Sequence, residues 1–255
     1  MCTLSIIPFS ENDRTGYRMV SSRDESRARA EAQPPRWREL SATLRGIWPT
    51  DPEGGGTWVA VANSGLGLAV LNRNPEPPIP IPPSGTLVSR GKLIPKLIDA
   101  DSLAEIGERL GQMPLERFAP FRIAATALEE GGVRCLEAIW DRTELVLKPL
   151  VTPPVCLVSS GLGDSRVAAR IPLFSDLVSA DPTPASQDAF HGHVWLEQRE
   201  ISVMMARSDA TTVSITTCEV SRASDRRVNV RMAYTPVSQP LAHAVGRLVR
   251  GGAGV

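Results

Sequence analysis

The sequence has few aromatic residues and no excess of charge of either sign. Phe, Trp and Tyr make up 5% of the 255 residues, and 28 basic residues balance 28 acidic ones. A chain without net charge lacks the strong field that attracts nucleic acid or an anionic membrane. Its apolar runs also fall short of the about 20 residues that a membrane helix requires. We therefore expect neither a nucleic-acid partner nor stable membrane insertion, and nothing in the sequence indicates an oligomeric state.

Cysteine is scarce and scattered, which gives no sign of a disulfide framework or of a paired-cysteine motif. The chain has four cysteines, none of them in a C-x-x-C pair: Cys2, Cys135, Cys156 and Cys218. The last three lie in apolar, strand-like settings and are expected to be buried hydrophobic residues. The amino terminus has no basic segment ahead of an apolar core, as a secretory signal would. Reduced cysteines without a secretory signal predict a cytoplasmic location.

Several common catalytic motifs are also missing. The sequence contains no P-loop, no G-x-G-x-x-G turn and no G-x-S-x-G elbow. These absences give no support to phosphate-loop chemistry, dinucleotide binding or Ser-His-Asp catalysis.

Short apolar segments predict a protein rich in antiparallel strands. Residues 2–8 and 17–22 form one predicted hairpin, which turns through Glu11, Asn12 and Asp13. Residues 57–62 and 66–71 form a second hairpin around Gly65, and their nearly continuous apolar character predicts burial on both faces. Later predicted strands cover residues 121–128, 133–140, 144–147, 155–159, 193–199, 201–207, 211–220 and 228–234. The alternation of residues 212–217 predicts a sheet with one wetter face.

Helices are predicted between these two groups of strands. Ser89 is a candidate cap for residues 91–100, Asp101 or Ser102 for a helix that reaches Leu110, and residues 165–179 form a third helix. Residues 23–38 predict a solvated loop or helix face, whereas residues 74–85 and 180–189 predict loops. Strands at both ends with helices between them indicate an α+β fold with four αββα layers, two antiparallel sheets flanked by helices, in a single domain over residues 1–255.

Cys2 is the main candidate for chemistry. A small residue at position 2 favours removal of Met1, which would leave a cysteine with both a thiol and an α-amine. An α-amine titrates near ~7.7–8.0 and can act as a general base. The predicted hairpin returns Arg23 and Asp24 to the end of the sheet where Cys2 begins, so that Arg23 would favour a thiolate and Asp24 would hold the amine. The alternative is an ordinary ion pair at a strand end, and position 2 is expected to make few core contacts.

Five motifs occur together in order within the first 100 residues: Met1-Cys2, S-R-D-E at 22–25, G-G-T-W at 55–58, Leu71-Asn72 and S-R-G at 89–91. This set resembles the NRDE family, which includes the transport and Golgi organisation protein 2 group. The resemblance implies an N-terminal nucleophile (Ntn) hydrolase fold, similar to that of the bile-salt hydrolase and penicillin V acylase group. It also implies an attack by Cys2 on an amide carbonyl, with Arg23 and Asp24 as orienting residues and Asn72 helping to hold the oxyanion.

The sequence departs from that resemblance at two positions. Ser22 stands where the family has Asn, and Ser160 corresponds to a distal Asn that assists catalysis in the acylase group. Loss of such a donor typically costs ~10²–10³ in rate. The function expected is hydrolysis of a small-molecule linear amide, or a related carbonyl C–N bond, with no cofactor.

The alternative function is a non-enzymatic carrier of haem, acyl-CoA or lipid, as proposed for some NRDE relatives. Haem binding requires an apolar slot and often an axial Cys, His or Met. The sequence offers the following candidates: Cys2, His191, His193, Met204, Met205 and His243. His191 and His193 could form a ligand pair on one strand face, although exposed polar residues are the commoner explanation.

Overall fold

Two antiparallel sheets form the centre of the fold. The computed structural model describes residues 2–11, 14–83, 85–129, 131–150, 153–224 and 227–237. Met1, the predicted turn residues Asn12 and Asp13, His243 and the tail after Gly251 lie outside the described residues. The strands are β1 (Cys2–Glu11), β2 (Arg14–Ser26), β3 (Gln33–Glu39), β4 (Arg45–Thr50), β5 (Val59–Ala62), β6 (Gly67–Asn72), β7 (Phe121–Glu129), β8 (Gly132–Trp140), β9 (Leu145–Leu150), β10 (Val155–Ser159), β11 (Ala210–Ala223) and β12 (Val228–Pro236).

The strands divide into a five-stranded sheet in the order β10-β1-β2-β11-β12 and a seven-stranded sheet in the order β3-β4-β5-β6-β7-β8-β9. Helix α1 (Leu103–Gly111) packs on β7 and β8 of the larger sheet, whereas α2 (Arg170–Phe174) and α3 (Pro184–His191) pack on the smaller one. The fold is therefore the predicted αββα sandwich. None of the described helices combines the length and the apolar character needed to span a membrane.

The main core lies between the two sheets. Side chains of β1 and β2 that face it include Leu4, Ile6, Tyr17 and Met19, each at most 1% exposed. All four residues of β5 are buried, as their continuous apolar character predicted. Because neighbouring residues of a strand point to opposite faces, Thr3, Ser5 and Ile7 lie on the other side of the small sheet, beneath α2 and α3.

The predicted hairpin of β1 and β2 is confirmed, and its register places Cys2 opposite Arg23. The helix prediction up to Leu110 is confirmed as well, because the Ser102 side chain accepts a hydrogen bond from the Glu105 backbone N–H and caps α1. The helix expected over residues 91–100 is replaced by two short 3₁₀ turns, Arg90–Lys92 and Ile94–Lys96. Gly91 and Pro95 both disfavour a continuous helix there.

The loop or helix predicted over residues 23–38 was wrong, because β2 extends to Ser26 and β3 begins at Gln33, but most residues after Glu25 are exposed to solvent, as expected. The sequence of β3 lacks the alternating apolar residues that indicate a strand, because it contains Pro34, Pro35 and several charged residues. The strand lies at the edge of the large sheet, next to β4, where proline is tolerated because one side of the strand needs no backbone donors.

Residues 165–179 are helical in pieces: a 3₁₀ turn (Asp164–Val167), then α2, then a π-helical turn (Ser175–Ser179). The loop predicted over residues 180–189 was wrong, since α3 lies there. Thr183 accepts a hydrogen bond from the Ser186 N–H, and Pro184 occupies the first helical position, so Thr-Pro begins this helix.

The strands predicted over residues 193–199 and 201–207 do not form, and this segment consists of turns. Side-chain hydrogen bonds replace strand pairing here, because the Ser202 hydroxyl accepts from the Trp195 N–H and donates to local carbonyl groups.

The assignment of the polar face of β11 to the wetter side of the sheet was also wrong. Thr212, Ser214 and Thr216 are at most 1% exposed, whereas Val213 and Ile215 are half-buried.

Candidate functional site

A cavity of about 600 Å³ lies where the first residue of β1 meets the last residue of β6. All four residues proposed from the sequence line it: Cys2, Arg23, Asp24 and Asn72. The hairpin brings the first three together, and the packing of the two sheets adds Asn72. Most of the wall is polar, with charged groups from β2 and from the segments around residues 29, 51 and 90.

Cys2 lies between two strands, opposite Arg23 of β2 on one side and Ser159 of β10 on the other. Its side chain is 8% exposed and belongs to the main core, so the expectation of few core contacts was wrong. Burial raises the pKa of the Cys2 thiol, and the positive charge of Arg23 opposes that rise. The resting thiol is therefore mostly protonated, and an attacking thiolate would need a base.

Arg23 is held from two sides. Its guanidinium lies 4.5 Å from the centre of the Trp58 ring and 3.4 Å from a carboxylate oxygen of Asp51. Asp51 also accepts a hydrogen bond from Arg29. Burial opposes ionisation of Asp51, but the contacts with Arg29 outweigh it and hold the pKa of this carboxyl below its usual value. Asp51 was not proposed from the sequence, because it lies outside the family motifs and reaches Arg23 only through the fold.

Asp24 is directed to the opposite face of the small sheet, under the helices. Its carboxylate accepts a hydrogen bond from the Thr212 hydroxyl at 2.6 Å and lies 3.6 Å from the guanidinium of Arg170. Both charged side chains are at most 1% exposed. Burial raises the pKa of Asp24, and Arg170 works in the opposite direction. No sequence signal identified Arg170, which is 146 residues further along the chain.

The G-G-T-W and S-R-G motifs pack against each other in the cavity wall. The Thr57 N–H donates to the Gly91 carbonyl at 3.0 Å. A β-carbon on Gly56 would overlap the backbone of Gly91, so glycine is needed for this close approach. The contact sets Trp58 beside Arg23 and places Arg90 in the cavity.

The two positions that depart from the family motif have local partners. The Ser22 hydroxyl lies 2.7 Å from Nδ1 of His191, and the Ser160 hydroxyl accepts from the Leu162 N–H at 3.1 Å. Asn74 lies near the second position, since its side-chain amide donates to the Ser159 hydroxyl at 3.4 Å. Ser159 is the residue directly opposite Cys2 in β10.

Among the haem-ligand candidates that the structure describes, only Cys2 lines the cavity. Cys2 lines the cavity, but His191 ends α3 and is 1% exposed, with both ring nitrogens 2.7 Å from serine hydroxyls. The sequence predicted that His191 and His193 lie either on a strand face or at the surface. For His191 both predictions were wrong, because it lies in a helix and is buried. The cavity wall around Cys2 is mostly polar, whereas haem binding requires an apolar slot. Among the described residues, no three or more His, Cys, Asp or Glu side chains are grouped to hold a metal ion.

Comparison with solved structures finds proteins of similar fold. An N-acylethanolamine-hydrolyzing acid amidase ortholog from Caenorhabditis elegans superposes with a TM-score of 0.53 at 12% identity, over 85% of this chain and 92% of that chain. Penicillin V acylase from Agrobacterium tumefaciens gives a TM-score of 0.49 at 12% identity, over 91% of this chain and 85% of that chain. At 12% identity the likeness to the amidase ortholog shows the fold alone.

The sequence itself identifies the family. The family model for Transport and Golgi organisation 2 matches residues 1–190. The chain belongs to the Transport and Golgi organisation 2 family, as the five motifs predicted. Comparison with curated protein sequences gives no match.

Proposed function

We propose that this protein hydrolyses a linear amide, or a related carbonyl C–N bond, with Cys2 as an N-terminal nucleophile after removal of Met1. The observation that carries the proposal is the position of Cys2 in the wall of a polar cavity, directly opposite Arg23. Asp24 and Asn72 line the same cavity. Cys2, Arg23 and Asp24 belong to the small sheet and Asn72 to the large sheet, and the two sheets pack together.

The buried thiol needs a proton acceptor to attack. Its pKa is raised by burial, so the thiol holds its proton near neutrality. The α-amine that is freed when Met1 leaves belongs to the same residue and titrates near ~7.7–8.0, so it can accept that proton. Arg23 then stabilises the sulfur anion, since an opposite charge nearby favours the ionised form.

The reaction proceeds by acyl transfer. The sulfur of Cys2 attacks the amide carbonyl, the Cys2 α-amine takes the thiol proton, and the side-chain amide of Asn72 donates to the oxyanion. The α-ammonium returns the proton to the leaving nitrogen as the C–N bond breaks, and a thioester remains on Cys2. Water, deprotonated by the same amine, attacks the thioester and releases the acid and the free thiol.

We assign Asp24 to the stabilisation of the Cys2 α-amine. A buried carboxylate there favours the ammonium form that develops during the attack. Arg170 and Thr212 hold Asp24 from the helical side, at 3.6 Å and 2.6 Å. Arg170 is thus a positioning residue, because it contacts Asp24 and is not among the residues that line the cavity.

Carriage of haem or of acyl-CoA is the second candidate function. The polar cavity wall gives it less support than it gives amide hydrolysis, because an apolar macrocycle would lie against charged side chains. The cytoplasmic location stays a prediction from the sequence.

The test combines intact mass with turnover. Protein expressed without an amino-terminal tag is expected to lack Met1 and to hydrolyse members of a panel of linear N-acyl amides. Cys2→Ala should abolish turnover and Cys2→Ser should reduce it strongly, because a hydroxyl is far less ionised than a thiol near neutrality. Either change removes a buried sulfur and is expected to lower the free energy of unfolding by about 1–2 kcal/mol.

Cys156→Ala is the matched control, because it removes a thiol from the neighbouring strand β10, outside the cavity wall. It should leave turnover intact. A Met1 retained on active protein, or turnover that survives in Cys2→Ala, would overturn the assignment of Cys2.

A further inference from the structure

The three arginines of the cavity wall differ in how their charges are balanced. Arg23 and Arg29 both pair with Asp51, and Arg29 also lies within 4 Å of Glu25 and Glu53. Within the described part of the chain, no carboxylate lies within ion-pair distance of Arg90. This guanidinium is the cavity charge that a ligand could still neutralise.

Arg90 is held in place but keeps free donors. One of its N–H groups donates to the Pro120 carbonyl at 2.9 Å. A guanidinium has five N–H donors, so most of them are not used by that bond. Burial lowers the pKa of Arg90, and the nearby acidic groups of Cys2 and Glu25 oppose this shift without cancelling it. An anion in the cavity would relieve the cost of burial.

A second cavity, of about 320 Å³, adjoins the first at Arg90 and Ala119, which line both. Its wall is largely apolar, formed by Pro78, Ile79, Ile81, Pro120 and Leu162, among others. Ile81 is 59% exposed and Leu162 is 44% exposed. Exposed apolar side chains around a concave surface favour an apolar ligand group.

The apolar cavity is built into the fold, because hydrogen bonds tie its two walls together. The Asn74 N–H donates to a carboxylate oxygen of Asp164 at 2.9 Å, and the Ser165 hydroxyl donates to Glu76 at 2.6 Å. Besides Arg90, the charged residues that line this cavity are Arg73, which lies 3.5 Å from Asp141 and is therefore balanced, and the carboxylate Glu76. Arg90 at the junction remains the group that can receive an anion.

We propose that the substrate is an N-acylated apolar α-amino acid, whose carboxylate binds Arg90 and whose side chain enters the apolar cavity. The order of groups along the two cavities is Cys2, then Arg90, then the apolar wall. An N-acyl amino acid fits this arrangement, because its carboxylate and its side chain branch from the carbon that follows the amide nitrogen and can therefore reach Arg90 and the apolar wall beside it. Hydrolysis at Cys2 would leave the acyl group on sulfur as a thioester, release the free amino acid, and form the second acid with water.

This proposal rests on the proposed function for its reaction, but binding tests it separately. The probe ligands are N-acetyl-phenylalanine and N-acetyl-phenylalaninamide, which differ only in the carboxylate. Calorimetry uses the Cys2→Ala protein, which cannot turn either ligand over. The acid is expected to bind at least about tenfold more tightly than the amide, since a hydrogen bond to a charged group is worth roughly 1.5–3 kcal/mol. N-acetylglycine should bind more weakly than either.

In the Arg90→Gln variant of the same protein, the acid and the amide should bind within about twofold of each other. Arg90→Lys should retain part of the preference, which separates loss of charge from loss of fold. Arg73→Gln is the matched control and should retain all of it, because Arg73 is balanced by Asp141. Equal binding of both ligands to the protein with Arg90, or a preference that survives Arg90→Gln, would overturn this assignment. Either result leaves the turnover test of Cys2 unaffected.

Discussion

Ser22 of β2 and His191 of α3 are joined by a buried contact of 2.7 Å between the serine hydroxyl and Nδ1 of the ring. The other ring nitrogen lies 2.7 Å from the hydroxyl of Ser5 in β1. A neutral imidazole has one donor and one acceptor, so one serine donates and the other accepts. One side chain thus connects the helical layer to both strands of the hairpin that carries Cys2 and Arg23.

The His191 contact predicts a pH dependence of stability. Burial, together with the positive charges of Arg18 and Arg170, lowers the pKa of His191 to about 3, against about 6.5 in an unfolded chain. Between these values the unfolded state binds a proton that the folded state does not, so stability falls as the pH falls below 6.5. The loss approaches about 1.4 kcal/mol per pH unit, or about 2 kcal/mol between pH 7 and pH 5.

Urea unfolding of wild type and His191→Gln at pH 7 and pH 5 tests this dependence. The variant should lose less stability on acidification, by about the 2 kcal/mol assigned to the ring. His193→Gln, two residues away, should behave as wild type does. Parallel losses in wild type and His191→Gln would show that the ring is not kept neutral by the fold.

The buried pair of Asp24 and Arg170 predicts a strong coupling. Arg170→Met should lower the free energy of unfolding by about 3–5 kcal/mol, because it leaves the Asp24 carboxylate buried without its cation. The double variant Asp24→Asn/Arg170→Met should lose less than the sum of the single variants. A double-mutant cycle in urea measures the coupling free energy between the two side chains, and additive effects would contradict the coupling.

The position of Arg23 opposite Cys2 predicts an effect on thiol reactivity. Arg23 lowers the pKa of the Cys2 thiol, so Arg23→Gln should raise it further. Alkylation by iodoacetamide at pH 8 should then slow by roughly threefold for each unit of increase, since the loss of thiolate outweighs the gain in nucleophilicity. Peptide mass spectrometry gives the rate at Cys2, with the rate at Cys156 as the internal control. An unchanged rate at Cys2 would remove Arg23 from the activation of the thiol.

The close approach of Gly56 and Gly91 predicts a selective cost for a small substitution. Gly56→Ala places a β-carbon against the backbone of Gly91 and should destabilise the protein by about 1–3 kcal/mol. Gly111→Ala is the control, because none of the described heavy atoms lies within 4 Å of its added β-carbon. Urea unfolding compares the two, and equal stability would show that the wall segment can move freely.

Local patterns in the sequence predicted a substantial part of this fold. The hairpin of β1 and β2 follows from apolar runs close together in the chain, and its register alone brings Cys2 to Arg23. Ser102 was identified as a helix cap because capping depends on neighbouring backbone groups. The Thr-Pro start of α3 was equally local but was interpreted as a loop, because Pro and Ser are also frequent in turns.

The remaining features depend on contacts between distant segments. Ser214 and Thr216 lie on the inward face of β11. Their polarity alone would assign them to the solvent side, but the packing of the sheets buries them. Asp51, Arg170 and His191 reach the hairpin from other parts of the chain, so no motif identifies their roles. The sequence by itself determined the nucleophile candidate, its hairpin and the family. Only the tertiary structure decided which charges remain unbalanced around Cys2, because that balance depends on distances across the two sheets and the helical layer.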